Sequence, residues 1–188
     1  MVIIKVTQKP STILFPVPTV LVTTQMGEGE PNIITIAWTG IMNSVPPTVY
    51  IGVQPIRYSH GKIKESGEYV INIPSVEQAK SVDYCGMVSG RDVNKFEETG
   101  LTAVPSTHVK PPLIKECPVN IECKVKQVIS LGSHDIFIAE VLAVHYDENV
   151  LDENGRPDIG KIKPYGFCMG EYRSISDKLG TFGYSNKG

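Results

Sequence analysis

VNIECKVK, Val119 to Lys126, is the stretch that decides the fold class. Val119, Ile121, Cys123 and Val125 alternate with Asn120, Glu122, Lys124 and Lys126. A period of two puts one side of a strand against a core and the other in water. A turn follows at LGSHD (Leu131–Asp135), and IFIAEVLAVHY (Ile136–Tyr146) returns with apolar residues on both faces. Such a strand belongs in the middle of a sheet or beneath a second layer.

Outward from this pair, strands dominate. VLVTTQ (Val20–Gln25) and NIITIAW (Asn32–Trp38) flank the Gly-rich turn MGEGEP and read as a second hairpin. TVYIGV (Thr48–Val53) follows Pro46-Pro47, and YVINI (Tyr69–Ile73) ends at Pro74. Helices are fewer. Ser59 is placed to cap a helix running to Ser66 with Gly67 as its terminator. Ser75 and Gln78 stand at capping-box spacing before a second helix. A short third helix in DVNKFEETG is expected to be capped by Asp92 and stopped by Gly100. The prolines of STHVKPPLIKECP (Ser106–Pro118) predict an extended crossing. The sum is a mainly β chain with peripheral helices, an antiparallel barrel with a loop-rich C-terminal tail, in one domain over residues 1–188.

Composition narrows the function classes. With 188 residues the chain buries about 70% of its unfolded surface. Its 41% hydrophobic and 20% charged residues are ordinary for a globular protein. A net charge of −2 argues against broad electrostatic binding to nucleic acid. No apolar run approaches the roughly 20 residues of a membrane span, and MVIIKVTQKP has too short an apolar core for a signal peptide. A cytoplasmic protein is expected. Cys85, Cys117, Cys123 and Cys168 form no CxxC pair, so buried reduced thiols are expected rather than a metal site or a disulfide framework.

Three stretches carry chemistry. In QPIRYSHGKI (Gln54–Ile63), Arg57, Tyr58 and Ser59 stand at the start of a helix. Either they are an ordinary helix start, or Arg57 and the free N–H groups of the first turn hold a phosphate. In TIAWTGIMNSVPP (Thr35–Pro47), small residues around the single tryptophan would let a flat ring approach the backbone; otherwise Trp38 is core. Lys95 either reaches a phosphate or carbonyl from its helix or is a solvated surface lysine. His134 is a hairpin-tip histidine in water or a polar contact to something bound beside the sheet. No nucleophile–base pair and no metal spacing appears among His60, His108, His134 and His145, so a cofactor is expected to supply the chemistry.

In order, AWTGIMNSVPP, RYSHGKIKESGEYVINIPS, DYCGMVSGRDVNKFEETGLT, ECPVNIECKV, LGSHDIFIAEV and LGTFG resemble the flavin reductase-like family, and within it the flavoredoxin-type FMN-binding proteins. The resemblance spans nearly the whole chain. It implies a Greek-key split β-barrel, a homodimer, and FMN near the subunit interface. By that resemblance, Thr35, Ala37, Trp38 and Thr39 line the flavin ring, while Arg57, Tyr58 and Ser59 hold the phosphate. Lys95 is a further phosphate or flavin contact, and His134 lies near a nicotinamide and orients it. Ser133 replaces a frequent aspartate, Ala139 a glycine and Ala37 a serine, which favours the flavoredoxin subgroup. Two functions follow: an NAD(P)H-dependent flavin reductase taking hydride at flavin N5, or an electron carrier between protein partners. A nucleic-acid-binding barrel is disfavoured because no basic, aromatic strand face is present.

Overall fold

The computed structural model describes residues 3–25 and 27–186; Met26 of the MGEGEP turn lies outside them. In chain order the elements are β1 (Val17–Pro18), β2 (Val20–Thr24), β3 (Asn32–Ile36), β4 (Thr39–Asn43), β5 (Thr48–Val53), α1 (Tyr58–Ser66) and β6 (Glu68–Ile73). Then come α2 (Ala79–Met87), α3 (Lys95–Thr99), β7 (Ala103–Val104), β8 (Leu113–Ile114), β9 (Val119–Ser130) and β10 (Asp135–Tyr146). The C-terminal part contributes α4 (Ile159–Ile162), β11 (Tyr165–Cys168) and β12 (Glu171–Ser174). No helix among the described residues is long and apolar enough to cross a membrane.

Seven strands form one sheet in the order β3-β2-β6-β9-β10-β5-β4, every neighbouring pair antiparallel. β9 and β10 are the longest, and their register shifts twice, between Ile138 and Ala139 and between Val141 and Ala143. Such irregularities bend a strand pair and increase its twist. The sheet curls into a half-barrel, the split barrel expected for this chain. A smaller sheet, β1-β11-β12, stands beside it.

Alternation sorts the core. Val20, Val22, Ile34, Ile36, Ile51, Val53, Tyr69, Ile71, Cys123 and Phe137 fill the inside of the curl. Leu21 and Ile33 point the other way, onto Val82 and Cys85 of α2, Phe96 of α3 and Ile114. β2 is therefore buried on both faces, and each such aliphatic side chain contributes roughly 1.5–3 kcal/mol.

Three expectations need correcting. Asn120 and Glu122 are not on a wet face; both are buried, Glu122 completely. The proline-bearing segment Ser106–Pro112 lies over them, and its N–H groups, which no ladder pairs, need buried acceptors. Glu122 supplies these: its Oε1 accepts from the Thr107 N–H (2.8 Å), and its Oε2 from those of His108 (2.6 Å) and Val109 (3.0 Å). His145 Nε2 lies 2.6 Å from Oε1. Burial pushes the Glu122 carboxyl upward, but the Thr107 and His108 N–H groups and His145 together hold it below its usual value. Asn72 Oδ1 does the same for the Ile114 N–H and the Asn120 amide.

Two helix starts also shift. Arg57, not Ser59, is the cap residue of α1, acting through its backbone with no side-chain cap bond, while Gly67 closes the helix at φ 67°. Ser59 sits inside the first turn, where its buried hydroxyl accepts from Asn32 Nδ2 at 2.7 Å. Asn94, not Asp92, caps α3. The Ser75–Gln78 capping box is present as expected, opening a 3₁₀ turn that runs into α2.

Candidate functional site

Where β3 comes round to β5, the curl leaves a cleft of about 380 Å³. Ile34, Thr35 and Ile36 form one wall, Gly52, Val53 and Gln54 the opposite one, and Ala37 and Trp38 the corner between β3 and β4. Thr19, Arg57, Gly86, His134, Phe167 and Tyr172 complete it. Close packing shapes this corner. A Cβ at Gly52 would sit 3.1 Å from that of Trp38, so glycine lets the tryptophan lie against β5. The Thr35 hydroxyl donates to the Val82 carbonyl of α2 at 2.5 Å, and Thr35 lines the cleft beside Gly86 of that helix. Trp38 is 43% exposed and is no core residue. Its ring runs parallel to that of His134, with centroids 6.2 Å apart and planes 7° apart.

The cleft continues into a basin of about 210 Å³, sharing Ile34, Arg57 and Gly86 with it. Tyr58, Ser59, Ser89, Arg91 and Lys95 line the basin. The first turn of α1 therefore faces a concentration of positive charge. Lys95 is only 4% exposed and is no surface lysine; its Nζ donates to the Cys85 carbonyl at 2.7 Å. Burial lowers its pKa, the Cys85 thiol works against that, and the Arg57 guanidinium adds to the lowering. Lys62 and Arg91 lie over the Tyr58 ring, at 5.0 and 5.6 Å from its centroid.

Two residues of these stretches lie elsewhere. Thr39 donates to the Tyr50 carbonyl (2.6 Å) and faces a neighbouring apolar cavity instead of the cleft. His60 turns into the core, its Nε2 2.8 Å from Asp135 Oδ2 and its ring edge-on to Phe137. Hydrogen bonds from Ser130 and His60 hold the Asp135 carboxyl below its usual value.

Sequence reading passed over Thr19, Gln54, Gly86, Ser89, Gly90, Arg91, Phe167 and Tyr172, all of which line the cleft or basin. Most had no local pattern to mark them; Ser89 to Arg91 follow α2 and reach the site only because α2 packs on β3. Gly90 is required there, since a Cβ would fall 1.9 Å from Asn32 Oδ1. Of the four cysteines, Cys85, Cys117 and Cys123 are buried and all four are unpaired.

The fold is shared with known proteins. Flavoredoxin of Desulfovibrio vulgaris superposes with a TM-score of 0.91 at 35% identity, covering 98% of this chain and 100% of that one. A flavoredoxin from Methanosarcina acetivorans gives 0.89 at 28% identity, covering 98% of each. An uncharacterized protein of Archaeoglobus fulgidus is 38% identical over 156 residues, 83% of this chain and 84% of that protein. Residues 12–176 match the family described as the flavin reductase like domain. The chain belongs to the flavin reductase-like family.

Proposed function

We propose that this protein binds FMN and is an NAD(P)H-dependent flavin oxidoreductase. The observation that carries the reading is the continuity of a largely apolar cleft with a cation-lined basin, joined at Arg57. A ring with a phosphate-bearing tail needs that sequence of surfaces.

Arg57, Lys95 and the N–H groups of Tyr58 and Ser59 hold the phosphate, with the α1 dipole adding to the attraction. Ala37 and Trp38 present backbone to the ring, and Thr35 closes the α2 side. Bound FMN would supply the redox chemistry, accepting a hydride at N5. His134 stands at the rim beside Trp38 and orients the nicotinamide of the donor. Ile41 and Met42 on edge strand β4, with Val128, Ile129 and Val144, are exposed and support a homodimer. Residues 1–188 act as one domain, and three buried thiols suit a reducing cytoplasm.

Likeness to two flavoredoxins favours a second reading, an electron carrier between protein partners without direct use of NAD(P)H. Anaerobic mixing of the FMN-loaded protein with NADH and with NADPH separates the two. Bleaching of the flavin well above the protein-free rate with either nucleotide is the expected result; background rates with both would leave only the carrier.

A further inference from the structure

On the far side of Trp38 lies a third and larger cavity, about 690 Å³. Ala37, Trp38 and Phe167 line both it and the ring cleft, so the indole is a shared partition. Leu14, Phe15, Ile136 and Met169 make up much of the rest. Among the described residues, no Asp, Glu, Lys, Arg or His lines it. The neighbouring cleft, by contrast, has Arg57 and His134, and the basin beyond has Arg91 and Lys95. A charge-free lining cannot repay the desolvation of a phosphate or carboxylate. Ser11, Thr12 and Tyr50 add hydroxyls at the wall, which can pair with an uncharged polar substituent. The volume lies within the range of small-molecule sites, which are mostly apolar with a few placed polar groups.

We propose that this cavity binds an uncharged aromatic ring compound, held against Trp38 and Phe167 beside the flavin cleft. The proposal rests on the flavin reading only for what lies across the partition. The charge-free wall offers a phosphate or carboxylate no partner and favours a neutral molecule. Leu14 (80% exposed) and Met169 (70% exposed) form its outer lip, so the site opens to solvent there.

The test uses calorimetric titration of the FMN-loaded protein with 2-naphthol and with 2-naphthalenesulfonate, which differ chiefly in charge. 2-Naphthol should bind one per chain, and the sulfonate at least tenfold more weakly. Met169→Asp and Leu14→Asp place a carboxylate on the lip and touch neither cleft nor basin. Each should weaken 2-naphthol at least tenfold while leaving FMN affinity and the flavin spectrum unchanged. Equal binding of both probes, or variants that bind 2-naphthol like wild type, would overturn the site. So would dissociation of a dimer into monomers by either variant, because the lip would then be covered by a second copy. Because 2-naphthol binding and FMN content are read separately, failure of the flavin assignment shows as absent flavin whatever the probe does.

Discussion

Replacing Arg57 by alanine tests the proposed phosphate basin most directly. Arg57 is the one side chain with a formal charge at the junction of cleft and basin, and it caps α1 through its backbone alone. Alanine therefore leaves the helix start intact, and stability should change by no more than about 0.5 kcal/mol. What is lost is a charge-assisted hydrogen bond to phosphate, about 1.5–3 kcal/mol, or a roughly 10- to 150-fold weaker Kd for FMN. Lys95 cannot swing across to compensate, because its ammonium is buried and tied to the Cys85 carbonyl. The α1 N-terminus remains, so binding should weaken without disappearing. Riboflavin, which lacks the phosphate, is the control and should lose less than twofold. Both affinities can be read by quenching of flavin fluorescence on titration with apoprotein. Equal losses for FMN and riboflavin would refute the assignment of Arg57 to the phosphate, as would a large fall in thermal stability.

Other outcomes follow from the same structure. His134→Ala should slow flavin reduction by NAD(P)H while leaving FMN affinity and dithionite reduction unchanged; stopped-flow absorbance checks this, and an unchanged rate would remove His134 from the donor site. Gly90→Ala should displace Asn32 and break its bond to Ser59, costing about 1–3 kcal/mol in urea unfolding. The folded Glu122 carboxyl lies below its unfolded value, so its stabilisation is present above the ordinary carboxylate range and is lost as pH falls through the folded pKa. Glu122→Gln should cost about 1–3 kcal/mol at pH 7 and make unfolding less steep in acid. Burial pushes the Cys85 thiol up to about 11 and Cys123 to about 12, so Cys168 alone should react promptly with a thiol reagent at pH 8.

Local chemistry made the strands and several helix ends legible. The Ser75–Gln78 box and the stop at Gly67 depend on residues within a few positions, and both appear where the sequence places them. Asp92 and Asn94 are both good cap residues two positions apart, and packing of Phe96 into the core under α3 selects Asn94. The alternation in Val119–Lys126 identified a strand, but alternation records polarity and not exposure. Glu122 is charged and buried because a distant, proline-broken segment brings it three N–H donors. The cleft residues on β3 and the start of α1 were readable because small residues and a cation stand together in the chain. Arg91 and Tyr172 were not, since they meet the site only through tertiary packing.

The position of the cleft between β3 and β5 bears on the order of events in folding. These strands lie at or next to the opposite edges of the seven-stranded sheet and are separated in the ladder by β2, β6, β9 and β10. The cleft exists only after every intervening pairing has formed and the sheet has curled. β3 and β5 are near in the chain, but the β6–β9 and β5–β10 pairings that bring them round join distant segments, carry the larger loop-closure cost and form late. A ligand that needs both walls recognises the finished barrel alone, so its capture should slow unfolding far more than it speeds folding.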